Sequence, residues 1–150
     1  MRQRGQSFGN VDPREVSMKF MVLIYTDDAL IDAMPSEQFD ATMRGCIEHA
    51  DDLRSEGRLL DSQQLESPST AKSLRTRKGR LMITDGPFTE SKEMLAGFNL
   101  IEAENMDEAI KIAAEFPWTH TGCIEVRPVR DIGAVRKRVG ATEGSVSASA

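Results

Sequence analysis

An α+β fold is what this sequence predicts, on three observations. Apolar runs of strand length recur along the chain, two amphipathic helical segments separate them, and the segments fall in the order strand, helix, strand, strand, helix, strand once a short hairpin is set aside. The first run, KFMVLIYT from Lys19 to Thr26, is continuous, β-branched and aromatic, and predicts a central strand. Pro35-Ser36 opens a helix, with Ser36 as N-cap and Glu37 in the first turn. Phe39, Met43, Cys46, Ile47, Ala50 and Leu53 then share one stripe at the helical period, and Gly57 ends the helix as a C′ glycine.

Leu59 to Leu65 predicts a second, mostly polar strand. Ser73 to Arg77 and Arg80 to Asp85 alternate around Lys78-Gly79, the signature of a hairpin turn. LAGFNLIEA, from Leu95 to Ala103, is another strand. Asn105 three residues before Glu108 forms a capping box for a helix that turns Ala109, Ile110 and Ala113 inward and closes at Pro117. CIEVRPV, from Cys123 to Val129, is the last strand, and Pro128 places it at a sheet edge or marks its end.

That order is the split βαβ, ferredoxin-like arrangement with an inserted hairpin. Helices on one face leave the other face of the sheet open, so two copies are expected to pair face to face as a dimeric α/β barrel. The folded domain is expected over residues 18–131. Residues 1–17 are polar, interrupted by Gly5, Gly9 and Pro13, and read as a flexible extension. Residues 132–150 read as a disordered tail, most clearly the small, polar stretch from Gly140. Arg136-Lys137-Arg138 within it is a solvated charge run that could touch a phosphate.

Composition narrows the function classes. A chain of 150 residues supports one domain with a core. A net charge of −5 argues against a nucleic-acid binder, which normally presents a basic face. No apolar run approaches the roughly 20 residues that cross a bilayer, and no apolar stretch follows Arg2 and Arg4 to make a secretory signal. Two cysteines, Cys46 and Cys123, do not make a disulfide framework, so a cytoplasmic protein with free thiols is expected. No membrane partner is expected and no cofactor is called for.

DGPFTESKE, then LAGFNLIEA, then DEAIKIAAEFP and finally GCIEVRPV together closely resemble the DGPF-type branch of the YCII-related proteins, over about residues 18 to 130. The resemblance implies a ferredoxin-like fold, a homodimer, a bacterial family of mostly unassigned activity, and an association with extracytoplasmic-function sigma factors. Some members resembling this chain carry a histidine on the first helix and an aspartate near the end of the second, proposed as a catalytic pair. Aligned on SEGRLL, those positions are Cys46 and Phe116 here, so both members of the pair are missing.

The site candidates carry two readings each. Asp85-Gly86-Pro87-Phe88 is either a turn that ends the hairpin and anchors Phe88 in the core, or the start of a polar rim of Asp85, Glu90, Lys92 and Glu93 at the mouth of the dimer cavity. Lys92 beside carboxylates would keep them ionised, which suits ligand anchoring. In the last strand, Ile124 and Val126 point to one face and Cys123, Glu125 and Arg127 to the other. Glu125 and Arg127 then either bridge each other or clamp a ligand between subunits.

His49 flanks the helical stripe and could serve as a base in place of the missing histidine, with His120 and Asp85 as further acid–base candidates. His49 with Cys46, and His120 with Cys123, repeat a three-residue spacing compatible with zinc, but the spacings are loose and one pair lies on a helix, so no metal is assigned. Trp118 either walls a ligand pocket or packs on a helix end. The sequence thus points to a homodimeric module that binds or senses a small polar metabolite, with a small acid–base enzyme as the alternative.

Overall fold

The computed structural model describes residues 18–141, and the apolar run at their start is the axis of the fold. Strand β1 (Met18–Asp27) lies inside a four-stranded antiparallel sheet ordered β2–β5–β1–β6, with β2 at Leu59–Gln64, β5 at Glu93–Ala103 and β6 at Gly122–Pro128. Helix α1 (Asp28–Asp32) is a short turn after β1, capped by the Asp27 side chain, which accepts from Ala29 N. Helix α2 (Ser36–Ser55) packs over β2, and helix α3 (Met106–Ala114) over β1, β5 and β6. Strands β3 (Lys72–Arg77) and β4 (Arg80–Asp85) form a separate two-stranded sheet, and α4 (Ile132–Val139) follows β6. The protein is therefore α+β, with both long helices on one face of the main sheet.

Strand alternation decides what fills the core. Phe20, Val22 and Ile24 of β1 point toward the helices together with Ile101 and Ala103 of β5 and Leu59 of β2. They meet Cys46 and Leu53 of α2, Ala109, Ile112 and Ala113 of α3, and the buried rings of Phe116 and Trp118. Ile124 and Val126 of β6 join the same cluster, as the alternation predicts. A β-bulge between Ile24 and Tyr25 leaves Ala96 of β5 unpaired, and the Ala96 carbonyl accepts from Leu65 N at 2.8 Å instead.

Local signals held where they were self-contained. Lys78 and Gly79 both have positive φ, 51° and 76°, as a two-residue primed hairpin turn requires. Asn105 accepts from Glu108 N at 2.9 Å; the reciprocal Glu108 carboxylate bond goes to Glu104 N at 3.1 Å, one residue earlier than a standard box. Gly57 (φ 74°) closes α2 with both bonds of a Schellman motif, Arg58 N to Leu53 O and Gly57 N to Arg54 O. Pro128 ends the edge strand β6, and Val129 N resumes the ladder by donating to Lys19 O.

Other expectations are corrected. Pro35, not Ser36, is the N-cap of α2, and no side-chain bond is made there; Ser36 is already helical. Ile47 is exposed, because it lies one residue, about 100°, round from Cys46 and off the line Met43–Cys46–Ala50–Leu53. Ile110 is exposed while Ile112 takes the inward place. Phe88 is 74% exposed, not anchored in the core. The hairpin has no layer behind it, and the Arg75 guanidinium covers the ring at 4.8 Å.

The expected tail also has structure in its first part. Asp131 caps α4 by accepting from Gly133 N, and Gly140 (φ 70°) stops it, so the segment carries signals at both ends. Arg136, Lys137 and Arg138 occupy the last turn of α4, where positive charge complements the helix dipole. The expected flexible extension at residues 1–17 and the last part of the tail, residues 142–150, lie outside the described residues. Among the described residues, no helix is long and apolar enough to cross a membrane.

The strands approach closely at Gly122, where a Cβ would come within 2.0 Å of the Tyr25 carbonyl oxygen. Gly122→Ala is expected to destabilise the fold by about 1–3 kcal/mol through the shift it forces between β1 and β6, read from the urea midpoint of the variant against the parent chain.

Candidate functional site

The face of the main sheet away from α2 and α3 is set by the same alternation. β1 turns Met21, Leu23 and Tyr25 to it, and β5 contributes Phe98 and Leu100; all are half-buried without a second layer from either helix. Cross-strand register puts Arg127 beside Met21, Glu125 beside Leu23 and Cys123 beside Tyr25. An apolar centre is thus flanked along β6 by exposed charged groups.

At one end of this face Tyr25, Ser91, Lys92, Glu93, Cys123 and Glu125 line a shallow hollow. Lys92 Nζ stands 3.9 Å from Oδ2 of Asp27, a buried carboxylate whose other oxygen caps α1. Arg127 Nε lies 3.7 Å from Glu125 Oε1, so these two side chains do bridge each other. Both are substantially exposed, and the pair adds little stability as it stands. One ammonium with two carboxylates around a phenol can hold a ligand that offers both a basic and an acidic or hydroxyl group.

Of the residues the sequence nominated, the structure brings Lys92, Glu93 and Glu125 together around the hollow, with Arg127 attached through Glu125. Asp85 does not join them. It ends β4 and pairs with Lys72 across the hairpin. Gly86 beside it has φ 91°, donates from N to the Ala71 carbonyl and accepts from Ser73 Oγ, so the Asp-Gly turn closes the hairpin. Glu90 is exposed on the connection from β4 to β5 and is not among the residues lining the hollow. Tyr25, Cys123, Ser91 and Asp27 were not nominated as ligand contacts; the strand phase that exposes Glu125 also exposes Cys123, and register then selects Tyr25.

The acid–base candidates are not assembled. His49 Nε2 is 3.0 Å from the Ile112 carbonyl, which can only accept, so Nε2 carries the proton. Its Nδ1 is 3.4 Å from the exposed Glu115 carboxylate, and its ring meets Phe116 edge-on at 4.5 Å. His49 therefore ties α2 to the end of α3, on the covered side of the sheet and away from Asp85. His120 is exposed at the end of the 3-10 turn Pro117–His120.

At the two positions where the resemblance implies a histidine and an aspartate stand a buried thiol and a buried ring. Trp118 Nε1 donates to Cys46 Sγ at 3.2 Å, and Phe116 is 1% exposed. Burial pushes the Cys46 thiol above its ordinary range, a shift that the Trp118 bond partly opposes. Among the described residues, no three His, Cys, Asp or Glu side chains gather into a set that could hold a metal ion.

A second cavity lies on the covered side, between α2 and the strands β2 and β5. Its volume is about 190 Å³, and Phe39, Met43, Trp118, Ser62, Gln64 and Asn99 are among its walls. Trp118 thus does both things the sequence allowed: it packs against α2 and it walls a pocket. Asn99 was not singled out, although a polar residue in the inward phase of an otherwise apolar strand is the signal that could have found it.

One covered and one open sheet face, with ionisable groups at the end of the open one, define a small α+β domain. The chain belongs to the YCII-related domain family, whose domain matches residues 18–133. It is 33% identical over 114 residues to an uncharacterised protein of Rhizobium meliloti, an alignment that covers 75% of this chain and 92% of that relative.

The two free thiols differ in environment, Cys46 buried and Cys123 exposed. Iodoacetamide is expected to modify Cys123 roughly tenfold or more faster than Cys46 in the folded single chain, with the open face unpaired, and the rates to equalise in denaturant, as followed by mass spectrometry of tryptic peptides.

Proposed function

We propose that this chain is a homodimeric small-molecule-binding module with a ferredoxin-like fold, whose two copies pair open sheet to open sheet as a dimeric barrel. The strand order β2–β5–β1–β6, with a helix between β1 and β2 and between β5 and β6, supports the fold assignment. The observation that carries the functional reading is the hollow of Lys92, Glu93, Glu125 and Tyr25 at the end of an uncovered apolar sheet face. A second sheet laid on Met21, Leu23, Phe98 and Leu100 would remove their surface from water and roof the hollow. Charges enclosed in this way need a counter-charge, and a small polar metabolite carrying an amine and a carboxylate or hydroxyl supplies one.

The two unpaired cysteines suit a cytoplasmic setting. A regulatory link to a sigma factor rests on the resemblance alone. The acid–base enzyme has no observation in its favour, because His49 is committed to α3 and His120 stands apart from the hollow.

Light scattering is expected to give twice the mass of one chain. Leu23→Asp, which places a carboxylate in the centre of the open face, is expected to weaken dimerisation about a hundredfold or more, roughly 2.7 kcal/mol, while circular dichroism stays folded. A monomeric parent chain at micromolar concentration would remove the paired-sheet reading.

For the ligand, a thermal-shift panel of amino acids and hydroxy acids is expected to contain a stabilising compound. Its affinity should fall about tenfold or more in Glu125→Gln and in Lys92→Met, and remain unchanged in Asp85→Ala.

A further inference from the structure

The covered side of the sheet contains a second place for a ligand, with chemistry opposite to that of the hollow. Asn99 sits in the inward phase of β5 and is 3% exposed. Its Oδ1 accepts from Ser62 Oγ at 2.6 Å, its Nδ2 makes no hydrogen bond among the described residues, and Asn99 lines the cavity under α2. Nδ2 is not sealed from solvent, so it remains a donor open to the cavity and free to engage an acceptor that enters it.

The remaining walls define what that acceptor is attached to. Phe39 and Trp118 stand 6.5 Å apart between ring centroids at 48°, and Met43 lies beside them, so one side of the cavity is aromatic and aliphatic. At the mouth, Gln64 Nε2 has only the Met43 sulfur at 3.3 Å, a weak acceptor, and can turn to a better one. Among the described residues, no lysine, arginine or histidine lines the cavity, and Asp28 is the only charged residue that does. An anionic ligand would enter without a counter-ion and against a carboxylate. The volume, about 190 Å³, compares with the roughly 150 Å³ of an apolar cavity that admits benzene.

We propose that the cavity beneath α2 binds a compact neutral molecule, one ring or branched apolar body bearing a carbonyl or hydroxyl oxygen that Asn99 Nδ2 engages. The site is complete within one chain, so it does not depend on pairing of the open faces or on the hollow.

Trp118 is the one tryptophan of the sequence and forms part of the wall, so its fluorescence reports occupancy directly. The full chain is titrated with cyclohexanone and with benzamide as neutral probes, and with benzoate as an anion of similar shape. The expected result is a saturable change in Trp118 emission with at least one neutral probe, accompanied by shifts of the Trp118 Nε1–H and Asn99 Nδ2 amide signals in nitrogen-15 spectra. Benzoate should bind about tenfold or more weakly. Asn99→Leu should weaken the neutral probe by a similar factor, and Ala96→Leu, which enlarges a second residue of the lining, should abolish saturation. Should one variant fail to fold, the other decides. The proposal is overturned if neither neutral probe saturates up to its solubility limit, if benzoate binds as well as the neutral probes, or if a folded variant of either kind retains the parent affinity.

Discussion

The structure depends on the one-sided burial of β1 and β5. Because successive side chains of a strand point to opposite faces, committing Phe20, Val22 and Ile24 to the core commits Met21, Leu23 and Tyr25 to the other side. The same holds in β5, where Ile101 and Ala103 go inward and Phe98 and Leu100 outward. The strands cannot slip by one residue without exchanging the two sets. The close approach at Gly122 and the bulge at Ala96 are where this register is accommodated without loss of pairing.

Much of the fold was legible because its signals are local. A primed turn at Lys78-Gly79, a C′ glycine at Gly57 and an Asn105 cap each need only a few neighbouring residues, and each formed. Strand phase was legible too, which is why Ile124 and Val126 fall inward and Glu125 and Arg127 outward. What failed needed knowledge of the third dimension. Phe88 reads as a core anchor only if something lies behind the hairpin, and nothing in the local sequence says that β3 and β4 form their own sheet. α4 was hidden because its caps, Asp131 and Gly140, border a segment whose few apolar residues remain largely exposed.

The candidate site was half legible for the same reason. Lys92, Glu93 and Glu125 converge because β5 begins where β6 begins, on either side of β1, a fact of sheet order. Asp85 is near Lys92 in sequence, but the turn at Gly86 leaves its carboxylate facing Lys72. The cavity under α2 was illegible as a cavity, since its walls come from α2, β2, β5 and the turn at Trp118. The charges of the hollow sit at a rim where they keep their water, whereas Asn99 in the interior could not be replaced by a carboxylate without a partner.

The separate pairing of β3 with β4 has a consequence for the chain as a lineage. The hairpin leaves the main sheet after β2 and returns at β5, and its own ladder bonds run only between its two strands. It can therefore be lengthened, shortened or exchanged among related chains with the four-stranded scaffold left standing, and divergence in what such proteins touch can accumulate there first.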